Sequence, residues 1–337
     1  MGKKDKIVWG VIGAGNVCEV KSVPGMYKTA CSEVKTIMRR NLDKAEDYAQ
    51  RHSIPFVTNN ADDIFFDPEI DIVYVATPPN THCEYTLRAA TTGKAVYVEK
   101  PMANTVEECE RMIEACEKAN VPLFVAYYRR KLPGFLRLKE LIESGIIGDV
   151  RFVNIEMYRV PRSYDLNPEN NWRVFPEISG GGHFHDLASH QLDFLDYLFG
   201  KITKSKGVAV NQAGLYPAED IVTASFEFES GIVGAGVWCF TAHASSEKEM
   251  ITILGSKGHI VFNTFGSPMV IDMKTEKGTE VIEIEHPQHI QQPLIESIID
   301  ELIGGSSVCP SRGTSAIRTT TVLNNITSEY KNRESIK

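Results

Sequence analysis

At 337 residues the chain is too long for one average domain and long enough for two, each able to bury its own core. Its 42% apolar and 24% charged residues are ordinary for a globular protein, and a net charge of −8 without any basic block excludes the electrostatic footprint of a nucleic-acid binder. No apolar run approaches a membrane span, and seven scattered cysteines without a C-x-x-C pair argue against a disulfide framework or zinc knuckle and for a reducing cytoplasm.

Met1-Gly2-Lys3-Lys4-Asp5-Lys6 runs straight into a strand-like segment, with no apolar stretch of signal-peptide type, and Lys6 stands where a myristoylation motif requires Ser or Thr. Ile7 to Ile12 is a short apolar run, followed by Gly13-Ala14-Gly15-Asn16-Val17-Cys18 and a helix-compatible segment. Strand, glycine turn and helix start are the context of a dinucleotide-binding fingerprint. The first glycine makes the tight turn, the second lets backbone approach a pyrophosphate, and the helix N-terminus favours negative charge. Cys18 holds the place of the third glycine, which governs only how closely helix and strand pack. Pro24-Gly25 is expected to shorten or bend the first helix. Val34 to Met38 reads as the second strand. At its end, where a cofactor lacking the 2′-phosphate meets an acid, stand Arg39 and Arg40. Two guanidinium forks match a phosphate, which predicts NADP over NAD.

Asp43 to His52 reads as a charged helix, Pro55 to Val57 as a short strand and Ala61 to Phe66 as a helical turn. Asp71 to Ala76 is a buried strand ending in Thr77-Pro78-Pro79-Asn80-Thr81-His82, which opens a helix through Gly93. Ala95 to Val98 is the next strand, and Glu99-Lys100-Pro101-Met102 follows at its carboxyl end, the edge where open α/β sheets hold ligands. A helix from Thr105 to Asn120 and a strand from Pro122 to Tyr127 complete a doubly wound parallel sheet, closing a first domain at 1–128.

From 129 to 337 the texture changes. Pro133 to Gly145 is an amphipathic helix, Val150 to Tyr158 a strand, Pro161 to Gly182 an irregular polar loop and His183 to Phe199 a helix. Period-two segments follow at 207–210, 221–228, 232–240, 249–254, 259–263, 269–273 and 281–285, joined by turns such as Glu229-Ser230-Gly231. They imply a large, mostly antiparallel open sheet in an α+β domain. Helices at 293–303 and 313–331 finish the chain.

Gly13-Ala14-Gly15-Asn16, Thr77-Pro78-Pro79-Asn80-Thr81-His82, Glu99-Lys100-Pro101, Trp172-Arg173, and Gly180-Gly181-Gly182 followed by Asp186-Leu187-Ala188-Ser189-His190 occur in this order. Together they resemble the glucose-fructose oxidoreductase, inositol dehydrogenase and rhizopine-catabolism family (Gfo/Idh/MocA) over nearly the whole chain. The resemblance implies an N-terminal Rossmann domain and a C-terminal open sheet that builds a homodimer or homotetramer. It also implies reversible NAD(P)-linked oxidation of a sugar, keto-sugar or cyclic polyol, and a cis Lys100-Pro101 bond. On these motifs the cofactor is expected at Gly13, Gly15, Asn16, Val17, Arg39, Arg40, Thr77, Pro78, Asn80, His82, Glu99 and Lys100. The substrate is expected at Tyr128, Trp172, Arg173, Asp186 and His190.

Asp186 and His190, four apart on a helix, share one face. A carboxylate and an imidazole so placed form an acid-base pair, with His190 exchanging the proton of the substrate hydroxyl and Asp186 orienting the ring or the substrate. Lys100 would stabilise negative charge developing on the same oxygen. His183 and His185 beside Asp186 do not face a common point on a helix, so no metal is expected. Two other readings stay open: a dinucleotide-binding sensor on the same fold, and a glycoside hydrolase that uses tightly bound NAD for transient oxidation.

Overall fold

The computed structural model describes residues 5–167 and 171–334, the side chains of 332–334 excepted. The expectations for Met1 to Lys4, and the part of the polar loop at 168–170, lie outside the described residues. The chain folds as two interleaved units: residues 1–132 with 287–317, and 133–286 with 318–337. The expected division into 1–128 and 129–337 is contiguous, whereas the chain returns to its first unit at Pro287 and leaves it again at Arg318.

Within the first unit, six described strands form one parallel sheet: β1 (Ile7–Ile12), β2 (Ser32–Met38), β3 (Phe56–Thr58), β4 (Ile72–Val75), β5 (Ala95–Val98) and β6 (Leu123–Val125). Their spatial order is β3-β2-β1-β4-β5-β6, that of a dinucleotide-binding sheet, with the chain reversing direction across the sheet at β1 and β4. Every residue of β4 and β5 is buried, as helices on both faces require of continuous apolar runs. The connecting helices are α1 (Asn16–Val20), α2 (Val23–Lys28), α3 (Leu42–His52), α4 (Asp62–Phe65), α5 (His82–Thr91) and α6 (Val106–Lys118). The interruption expected at Pro24-Gly25 falls earlier, after Val20, and Pro24 instead opens α2, where its missing N–H costs nothing. Gly25 serves a close approach: a Cβ there would lie 3.1 Å from the Cα of Gln292, at the start of α10 (Gln292–Leu302).

In the second unit, helices α7 (Pro133–Glu143), α8 (Pro176–Ser179) and α9 (His183–Phe199) accompany β7 (Val150–Tyr158), β8 (Ile202–Val210), β9 (Ile221–Phe228), β10 (Val233–Cys239), β11 (Lys248–Gly255), β12 (Gly258–Phe262), β13 (Met269–Thr275) and β14 (Gly278–Ile284). The sheet runs β14-β13-β12-β11-β7-β10-β9-β8 and is antiparallel except where β7 lies parallel to β10. α9 matches its expected span to the residue, bounded by Gly182 and by Gly200, whose φ of +89° ends the helix. β8 starts five residues earlier than expected, because Lys204 and Lys206 face outward and hide the alternation. Val153, Ile155 and Met157 of β7, Trp238 of β10 and Ile251 and Ile253 of β11 form the buried face. Val208, Val233, Leu254 and Val281 are exposed. The last helix, α11 (Gly313–Glu334), begins in the first unit and ends in the second. No helix among the described residues is long and apolar enough to cross a membrane.

Candidate functional site

On the first unit the candidate residues stand at three adjacent strand ends. Ile12 of β1 is level with Val75 of β4, and Val75 with Val98 of β5, so Gly13, Thr77 and Lys100 follow on one edge of the sheet. Gly13 has φ +88°, and a Cβ on it would lie 2.6 Å from Thr77 Cγ2, so only glycine fits that turn. At Gly15 the nearest atom to an added Cβ is the Gly13 carbonyl at 3.8 Å, which leaves open space before the first turn of α1. The N–H groups of Asn16 and Val17 in that turn have no intrahelical acceptor. This is the cradle a dinucleotide pyrophosphate requires. Cys18 is fully buried, and burial followed by the charge of Glu99 pushes its thiol up to about 12, so it packs as a neutral side chain. Arg39 is half-buried and Arg40 exposed at the end of β2, beside the Asn41 side chain that caps α3 by accepting from the Lys44 N–H at 2.9 Å.

At the end of β4, Pro78 is half-buried and Asn80 exposed. The Thr81 hydroxyl lies 2.7 Å from that of Thr77, and the fully buried His82 ring reaches the Thr77 carbonyl at 2.8 Å through Nε2. Its Nδ1 lies 3.0 Å from the Pro101 carbonyl, so His82 ties the β4 turn to the segment behind Lys100. Lys100 is half-buried, and the Lys100-Pro101 bond is cis. Beneath it Glu99 is 8% exposed. Its Oε1 accepts from the Tyr74 hydroxyl at 2.6 Å and from Gln291 Nε2 at 2.7 Å. Oε2 accepts from the Lys100 backbone N–H at 3.2 Å. Gln291 in turn accepts from the Tyr97 hydroxyl at 2.7 Å. Tyr128, expected at the substrate, is 5% exposed in a short helical turn, with the Arg129 guanidinium over its ring at 5.1 Å.

On the second unit the centre is the first half of α9. In the Gly180-Gly181-Gly182 run that leads into it, Gly180 has φ +81° and the other two have no room for side chains. A Cβ on Gly181 would lie 1.9 Å from His185 Nδ1, and one on Gly182 would lie 2.8 Å from the Ala218 Cβ. Glu219 receives the Gly182 N–H at 2.9 Å and faces His185 Nδ1 at 3.3 Å. Burial, then the Lys331 ammonium, lower the His185 pKa. His183 instead points to Asp165 at 2.7 Å, so the two histidines serve separate carboxylates. Asp165 also takes the Asn171 amide at 3.0 Å and the Arg162 N–H at 2.8 Å, pinning the polar loop to the start of α9.

Asp186 is joined to Arg173 Nε at 3.3 Å, and the Arg173 guanidinium lies 4.6 Å over the half-exposed Trp172 ring. His190 is 4% exposed and meets Phe265 edge-on at 5.9 Å. Arg159 lies over the same Phe265 ring at 5.1 Å. Neither Arg159 nor Phe265 was among the expected residues. A signal for Arg159 was present, because it continues the inward parity of Val153, Ile155 and Met157 beyond the end of β7.

Two family models match the chain between residues 7 and 261. Residues 7–127 match the oxidoreductase family with a NAD-binding Rossmann fold, and residues 135–261 the GFO/IDH/MocA C-terminal domain. Oxidoreductase P35 of Formosa agariphila is 39% identical over 307 residues, spanning 90% of this chain and 93% of that protein. Levoglucosan dehydrogenase of Pseudarthrobacter phenanthrenivorans is 30% identical over 253 residues, 68% of this chain and 64% of that protein. The solved structure of a levoglucosan dehydrogenase in complex with NADH and levoglucosan superposes with a TM-score of 0.84 at 24% identity. The match covers 97% of this chain and 98% of the other, so the fold is shared throughout.

Proposed function

The chain belongs to the GFO/IDH/MocA oxidoreductase family, and on that premise we propose that it oxidises and reduces a sugar or cyclic polyol, with NADP preferred over NAD. The observation that carries the reading is that Gly13, Thr77 and Lys100 each follow one of three level, neighbouring strand ends within two residues. A bound nicotinamide dinucleotide would supply the two-electron acceptor or donor for hydride. Gly13, Gly15, Asn16 and Val17 would hold its pyrophosphate, Arg39 and Arg40 its 2′-phosphate. Thr77, Pro78 and Asn80 would line its path toward Lys100, with His82 and Glu99 fixing the backbone there.

The reacting hydroxyl carries partial negative charge as its carbon loses hydride, and the Lys100 ammonium stabilises it. His190 takes the hydroxyl proton, or returns it in reduction, because an imidazole changes charge near working pH. Asp186, held by Arg173, orients the substrate, and Trp172 and Tyr128 offer aromatic surface to the ring. The relative named levoglucosan dehydrogenase supports a carbohydrate substrate. The exposed residues on the second unit's sheet, Val208 and Val233 among them, support self-association there. A screen of sugars and polyols with NAD and NADP side by side, followed at the nicotinamide absorbance, tests the reading. Turnover with NADP at the lower KM supports it, and no turnover across the screen removes it.

A further inference from the structure

Arg159 presents an unusual state for a guanidinium. It lies on the inward parity of β7, and the ladder continues through it, since its N–H donates to Cys239 at 2.8 Å and its carbonyl accepts from Ala242 at 3.0 Å. It is only partly exposed, stacked on Phe265, and among the described residues its guanidinium makes no ion pair or hydrogen bond. Burial pulls its pKa below the ordinary arginine range, with Glu249 and Asp186 opposing. A guanidinium withdrawn from water without a partner is costly to keep. Glu249 attracts it but makes no direct ion pair with it. Both Glu249 oxygens are engaged elsewhere, by the Thr264 N–H at 2.9 Å, the Phe265 N–H at 3.1 Å and Gln191 Nε2 at 3.1 Å.

Arg173 repeats the theme. Its Nε is spent on Asp186 and its plane on Trp172, while its two terminal nitrogens take no acceptor among the described residues. Both guanidinia lie beside the helix face that carries Asp186 and His190, Arg159 through Phe265 and Arg173 through its direct contact. Asp186 takes the Nε of Arg173, which leaves the terminal nitrogens of Arg173 and the fork of Arg159 without an acceptor among the described residues.

Resting on the proposed reaction, we infer that Arg159 and Arg173 bind a carboxylate of the substrate, which is therefore a sugar acid of the hexuronate kind. A carboxylate presents two coplanar oxygens that match the forked donors, and the phosphate ester in the test below separates it from a phosphate. The carboxylate is a recognition handle remote from the hydroxyl that reacts.

The test uses the full chain and compares D-glucuronate and D-galacturonate with D-glucose, D-galactose and D-glucose 6-phosphate. Steady-state rates and thermal-shift binding are measured for the wild type, Arg159→Met, Arg159→Lys and Arg173→Met, with circular dichroism to check folding. The uronates are expected to exceed their parent sugars in kcat/KM by about tenfold or more, the scale of one charge-assisted hydrogen bond. That ratio should fall toward one in the methionine variants and partway in Arg159→Lys. Should Arg159→Met fail to fold, the lysine variant decides alone, since it keeps the charge and loses the fork. A wild-type ratio near one, or a preference for the phosphate ester, overturns the inference while leaving the oxidoreductase reading in place. Uronate binding that disappears in the variants, without turnover of any compound, upholds the inference and removes the hydride reading. Neither binding nor turnover of any compound overturns both.

Discussion

The Glu99 carboxylate accepts the backbone N–H of Lys100, so the lysine at the end of β5 is fixed at its main chain by the residue that precedes it. The other Glu99 oxygen is held by Tyr74 and by Gln291, a residue 192 positions further along the chain. Replacing Gln291 by leucine deprives Glu99 of a donor and the Tyr97 hydroxyl of its acceptor, all in a buried setting. Unfolding in urea should show a loss of about 1–3 kcal/mol, and kcat should fall with it. Wild-type stability and turnover would mean that the network does not position Lys100.

Arg39→Asp should move preference from NADP toward NAD. Losing one guanidinium from a phosphate, and adding a like charge, should raise the KM for NADP by about tenfold or more. Unchanged KM values for both cofactors would place the 2′-phosphate elsewhere.

Gly181→Ala puts a Cβ 1.9 Å from the His185 ring, in a turn closed by Glu219. The ring or the backbone must yield, at about 1–3 kcal/mol, and α9 shifts with it. A lower melting temperature together with a lower kcat is expected, and a variant equal to wild type in both would show that the run tolerates a side chain.

Acid stability reports on Glu19. Its hydrogen bonds from Arg51, at 2.7 and 2.8 Å, hold its carboxyl at about 2, against opposition from burial and with help from His52. A carboxyl depressed in the folded state stabilises above its unfolded pKa of about 4.3, and that contribution is lost as pH falls toward 2. Arg51→Met should therefore lower stability at pH 7 and flatten the decline between about pH 4.5 and pH 2. The pair is partly exposed, so the change at pH 7 should stay within about 1 kcal/mol. Parallel pH profiles for the two proteins would contradict this.

What the sequence revealed and what it hid divide along sequence distance. Gly13, Thr77 and Lys100 were legible because each follows an apolar run whose strand identity is local, and parallel order then brings their ends together. The α9 span was legible from Gly182 and Gly200. The return of 287–317 was not, because Gln291 and His289 earn their place through partners such as Tyr97, Glu99 and Val20, more than 190 residues away. Arg159 was hidden by its own chemistry: an arginine past a strand end reads as solvent-facing, and only the strand's parity says otherwise.

Among single measurements, the steady-state and binding behaviour of Lys100→Met tests the central claim most directly. In the proposed reaction Lys100 stabilises charge in the transition state, so kcat should fall by about 10²–10³-fold while the dissociation constant for NADPH stays near that of the wild type. A kcat equal to that of the wild type would contradict the account.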